Sequence, residues 1–104
     1  MLTTELYFEA HITIEPVFDQ QLALAETIAK RHGFRIADLL MLKRVADTPE
    51  RSQYDTFMTG RSTDYADLFC RTEDCVFSLQ SCGFQVWRYK IENTLLDVRL
   101  KNES

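Results

Sequence analysis

The sequence predicts one α+β domain made of two similar βαβ halves. Three observations predict it. Stretches with period-two alternation and stretches with helical spacing follow one another as strand, helix, strand, strand, helix, strand. Each helical stretch ends in the same joint, Gly33-Phe34 and Gly83-Phe84, with a strand directly after it. The 104 residues fit one domain, 1–104, with room for a core that needs no disulfide or metal.

In residues 5–15, Phe8, Ala10, Ile12 and Ile14 fall on one side and Tyr7, Glu9, His11 and Thr13 on the other. That is a strand with one apolar and one polar face. Pro16 stops it and suits the first turn of a helix over 17–32. That helix carries Phe18, Leu22, Ala25 and Ala29, with Leu24 and Ile28 widening the stripe. Lys30, Arg31 and His32 suit its negative C-terminal end, and Gly33 suits its stop.

Residues 34–46, with Phe34-Arg35-Ile36 and Leu39-Leu40-Met41-Leu42, read as a second strand, and the polar, Pro49-containing stretch after it as a loop. In a third strand over 53–61, Tyr54, Thr56 and Met58 share one side and Asp55, Phe57, Thr59 and Arg61 the other. Ser62 or Thr63 then caps a second helix with Asp64 in its first turn and Leu68, Phe69, Val76 and Leu79 facing inward. The fourth strand, 84–92, sets Trp87, Tyr89 and Ile91 against Arg88, Lys90 and Glu92. Beyond it Leu95, Leu96, Val98 and Leu100 can still pack, and 101–104 fray.

Two βαβ units with right-handed crossovers in one sheet form a ferredoxin-like sandwich: an antiparallel four-stranded sheet with both helices on one face. There the first and third strands are central and the fourth lies beside the first. The strand phases then fill the open face with Glu9, His11 and Thr13, with Asp55, Phe57, Thr59 and Arg61, and with Arg88, Lys90 and Glu92. Strands about 4.8 Å apart let these side chains meet.

Such a set nominates His11 as a general base and Arg61, Arg88 and Lys90 as cradle for a phosphate or carboxylate. Glu9, Thr13, Thr59 and Glu92 complete the candidate ligand set. The ligand expected is a small anion; no cofactor or metal motif is present. The competing expectation is a solvated face of cross-strand ion pairs, or a non-enzymatic module whose open face or edge strand pairs with a second copy. His32 reads as a helix-end residue.

His11-Ile12-Thr13-Ile14, on a strand that leads into a helix, resembles one half-motif of the two-histidine phosphoesterases. That family uses two His-x-Thr/Ser motifs on a duplicated βαβ arrangement, so the resemblance implies phosphoesterase-like turnover with His11 as an acid–base group. The second motif is missing here: the third strand offers Phe57-Met58-Thr59 and the fourth Arg88-Tyr89-Lys90. Within one chain the family's acid–base pair is incomplete. The overall pattern also resembles small bacterial ferredoxin-like proteins.

Other classes fit poorly. A net charge of −4 argues against bulk binding to nucleic acid, and the aromatic-rich third-strand signature of RNA-recognition domains is absent. No apolar run approaches the roughly 20 residues of a membrane span. Met1-Leu2-Thr3-Thr4-Glu5 is not the start of a secretory signal. Cys70, Cys75 and Cys82 have no CxxC spacing. Cys75 and Cys82 can share a helical stripe, but about 10 Å apart, too far for a disulfide. Reduced thiols and a cytoplasmic location are expected.

Overall fold

A computed structural model describes residues 2–36 and 56–100, and side chains within 7–36 and 56–93. The elements are β1 (Leu2–Ile14), α1 (Asp19–Arg31), β2 (Arg35–Ile36), β3 (Thr56–Ser62), α2 (Tyr65–Ser81) and β4 (Val86–Leu100). The four strands form one antiparallel sheet in the order β2-β3-β1-β4. The expected strand segment Leu39–Leu42, the Pro49 loop, Tyr54, Asp55 and the tail 101–104 lie outside the described residues.

One face of the sheet is apolar because alternation places Ala10, Ile12 and Ile14 of β1 beside Met58 of β3 and Ile36 of β2. Leu22, Ala25, Ile28 and Ala29 of α1 and Leu68, Cys75, Val76 and Leu79 of α2 join these residues in one core. Burying a side chain of leucine or isoleucine size contributes roughly 1.5–3 kcal/mol. Buried Thr72 is satisfied by donating to Leu68 O at 2.7 Å. Gly60 leaves room for Phe34: a Cβ there would lie 3.0 Å from three atoms of the ring.

The two helices end alike. The N–H of Gly33 donates to Lys30 O and that of Phe34 to Ala29 O; the N–H of Gly83 donates to Gln80 O and that of Phe84 to Leu79 O. Both glycines have positive φ, 76° and 92°, and each following phenylalanine drops into the core. This is the paired-bond C-cap of a Schellman motif, used twice.

Several local expectations are corrected. Helix α2 is capped by Asp64, whose carboxylate accepts from Asp67 N at 3.3 Å; Ser62 Oγ instead accepts from Asp64 N. Pro16 precedes α1, which starts at Asp19, and Phe18 caps it with its backbone carbonyl alone. Leu24 and Phe69 are exposed, because each lies at the margin of its helical stripe. β1 begins earlier and β4 ends later than the alternation suggests, and Leu2 pairs with Leu100.

Candidate functional site on the open sheet face

Alternation leaves the other face of the sheet polar, and the register brings its residues into rows. Arg35, Thr59, His11 and Lys90 lie side by side across all four strands. Arg61, Glu9 and Glu92 form the next row, and Phe57, Thr13 and Arg88 the row on the other side. All eight sequence-nominated residues, His11 with Glu9, Thr13, Thr59, Arg61, Arg88, Lys90 and Glu92, therefore share this face.

His11 is the hub. Its Nε2 lies 3.3 Å from Glu9 Oε1 and 3.2 Å from Glu92 Oε1, and its Nδ1 lies 3.4 Å from Thr59 Oγ1. Arg61 Nε donates to Glu9 Oε2 at 2.8 Å, and the guanidinium sits 5.2 Å from the centre of the Tyr7 ring. Lys90 Nζ lies 3.5 Å from Glu92 Oε1. Each carboxylate thus serves two cationic or hydrogen-bonding groups. Both ring nitrogens of His11 already face a protein partner. Surface pairs of this kind are worth about 0–1 kcal/mol each, so the network orients side chains more than it stabilises the fold.

Arg88 stands apart. It is exposed, and among the described residues it has no ion pair and no side-chain hydrogen bond. Thr13, between Arg88 and Phe57, is on the correct face but only 8% exposed, so it offers little surface to a ligand. Phe57 is 41% exposed on the same row.

Two residues escaped the nomination. Arg35 pairs with Thr59, which places it on the open face; the buried Ile36 beside it carries the phase that would have found it. Tyr7 had the right phase, but its role under Arg61 depends on a contact 54 residues away in sequence. His32 belongs to the helix layer, where its Nε2 lies 3.1 Å from Ser78 Oγ.

All three cysteines are free; Cys75 is buried, Cys70 and Cys82 exposed. Burial pushes the Cys75 thiol up to about 12, so it stays protonated at neutral pH. Tyr89 is also raised, by its hydrogen bond to the Glu73 carboxylate. Among the described residues no group of three His, Cys, Asp or Glu side chains is arranged to hold a metal ion. Nor is any described helix long and apolar enough to cross a membrane.

Fold and site together define an α+β domain with a charged open sheet face. Comparison with family models, curated proteins and solved structures finds no match to this chain.

Proposed function

We propose that this chain is a ferredoxin-like βαββαβ domain that binds a small anion, of the phosphate or carboxylate class, on its open sheet face. The strand order β2-β3-β1-β4, with β1 and β3 central, supports the fold reading. The observation that carries the ligand reading is the charge excess of that face. The chain has a net charge of −4, yet the described face holds Arg61, Arg88 and Lys90 against Glu9 and Glu92.

In this reading Arg88 and Lys90 grip the anion. Thr59 lies in the middle row beside His11, and Glu9 and Glu92 hold His11 and Arg61 in place. Binding is favoured over phosphoesterase-like turnover. Turnover needs a free ring nitrogen and a second proton-transfer group, whereas the other histidine sits in the helix layer. The three free thiols support a reducing compartment such as the cytoplasm.

The test is calorimetric titration and thermal melting with inorganic phosphate, pyrophosphate and phenyl phosphate, on the wild type and on Arg88→Gln and His11→Ala. At about a hundredfold excess over Kd, binding stabilises by about 2.7 kcal/mol. The expected result is saturable stabilisation by at least one probe, weakened tenfold or more in Arg88→Gln. If no probe stabilises the wild type at millimolar concentration, or if both variants respond like the wild type, the reading fails.

A further inference from the structure

We propose that a second copy of this chain docks along the edge of β4 that faces away from β1, antiparallel to it, about a two-fold axis at Ile91. The proposal stands independently of the ligand reading.

The first observation is the edge itself. β4 is 15 residues long, and its only described strand partner is β1. A strand edge is a row of unpaired N–H and C=O groups, and folded proteins usually keep such edges short or covered. Proline, which would block pairing, is absent from Val86–Leu100.

The second is what borders the edge on the helix side. Tyr89 lies opposite buried Ile12, so the face of β4 that carries Tyr89 looks toward the helices, and Trp87 stands next along the strand at the register shift between Arg88 and Val86. Helix α2 reaches that face at Glu73, which accepts from Tyr89 Oη at 2.9 Å, but it does not cover it. Trp87 remains 52% exposed and Tyr89 44%. Phe69 and Phe77 stand one turn to either side of Glu73 and are 45% and 72% exposed. Exposed aromatics gathered beside a free strand mark an interaction surface better than scattered ones do.

The third identifies the occupant. Antiparallel pairing about a two-fold axis normal to the sheet keeps each side chain on its own face, so position i meets a position of the same parity. With the axis at Ile91, each copy's Lys90 opposes the other's Glu92, Ile91 opposes Ile91 and Tyr89 opposes Asn93. Opposite charges directly across strands stabilise, and like charges destabilise. Moving the axis to Tyr89 sets Arg88 against Lys90 twice. Moving it to Lys90 opposes Arg88 to Glu92 but sets the two lysines against each other. The register about Ile91 thus opposes unlike charges twice with no like-charge contact, and the result is a continuous sheet with both aromatic shelves on the same side. The second copy's Glu92 then joins the charged face beside Lys90.

Sedimentation velocity and light scattering on the full chain at micromolar concentration test this. The wild type is expected to be a dimer. Lys90→Glu, which sets Glu against Glu at two positions, should give monomers with an unchanged circular dichroism spectrum. The double variant Lys90→Glu/Glu92→Lys should restore the dimer, which an effect on monomer folding would not do. In a Cys70→Ser/Cys82→Ser background, Ile91→Cys should form an oxidative cross-link between copies and Trp87→Cys should not. A wild type that stays monomeric up to high micromolar concentration overturns the proposal. So does a dimer that Lys90→Glu leaves intact, or one that cross-links through Cys at 87 rather than 91.

Discussion

Arg71 ties the two halves of the fold together, and replacing it should show by how much. From α2 its Nη1 donates to His32 O at 3.2 Å and Gly33 O at 3.3 Å, the free carbonyls at the end of α1. Its Nη2 donates to Arg61 O at 2.6 Å, at the end of β3, and its Nε to Asp67 at 3.1 Å. Hydrogen bonds from charged donors are worth about 1.5–3 kcal/mol each when buried. This side chain is 26% exposed, so water can replace part of what is lost. The Asp67 pair, at i,i+4, adds only about 0.3–0.5 kcal/mol. Arg71→Met should therefore cost about 2–3 kcal/mol in urea unfolding with an unchanged m value. At roughly 4–8 °C per kcal/mol, the melting temperature should fall by about 10–20 °C. Arg71→Lys should recover only a minor part, because a single ammonium cannot replace the planar fork that spans three carbonyls. A loss below about 0.5 kcal/mol for Arg71→Met, the range of ordinary surface substitutions, would refute this account of how the halves are joined.

The repeated helix ends make a matched pair of tests. Gly83→Ala meets no atom within 4 Å, so it should cost only the left-handed backbone penalty of about 1–2 kcal/mol. Gly33→Ala carries the same penalty and also drives a Cβ to 2.5 Å from Arg71 Nη1, so its urea midpoint should fall further than that of Gly83→Ala; equal losses would contradict the latch. Cys75 predicts a pH dependence. Its folded value is raised from 9.0 to about 12, so between those values the unfolded thiol ionises and the folded one does not. The native state then binds more protons, and stability falls as pH rises through that window, by up to about 1.4 kcal/mol per unit. Cys75→Ala, though less stable at neutral pH, should show a flatter decline from pH 9 to 12. Tyr89→Phe is the needed control, since the Glu73 bond shifts Tyr89 in the same direction. Parallel pH profiles for wild type and Cys75→Ala would remove the thiol from the explanation.

What could be read from the sequence was whatever a local period or a strong local signal dictates. The faces of β1, β3 and β4 were legible because one side is fully buried: Ala10, Ile12 and Ile14 have no exposure, and a slip of one residue would invert them. The helix stops were legible because only glycine accepts the φ values found at Gly33 and Gly83 without strain. The cap of α2 was missed by one or two residues because Ser62, Thr63 and Asp64 all have the right chemistry. Only the geometry decides that the Asp64 carboxylate reaches Asp67 N. The exposure of Phe69 was not legible, since helical spacing tells which residues share a stripe and not how far the sheet extends beneath it. The outer pairing of Leu2–Glu5 with Asp97–Leu100 joins the two ends of the chain, and no local pattern near either end announces it. Arg71 was invisible for the same reason: the carbonyls it holds include one 39 residues away.

The candidate site was legible as a set of residues but not as a network, and the network is what separates a solvated face from a binding face. A face built only to stay soluble can match its charges one to one. Here Glu9 serves both Arg61 and His11, and Glu92 serves both His11 and Lys90, so the described carboxylates are used up before Arg88 is reached. Among the described residues Arg88 has no acceptor, and under the proposed function the bound anion supplies one. Docking a second copy at Ile91 would not supply it, because that register gives the new carboxylate to Lys90 and leaves Arg88 opposite Thr94. Assembly would therefore leave Arg88 to the anion but share Lys90 between the anion and the second copy's Glu92. The two Arg88 positions would lie six residues apart along the shared strand direction, about 20 Å at strand rise. That exceeds the roughly 8 Å screening length at physiological salt, so direct repulsion between two bound anions would be slight. Two copies would carry two sites, and coupling between them would travel through the Lys90–Glu92 pairs at the axis.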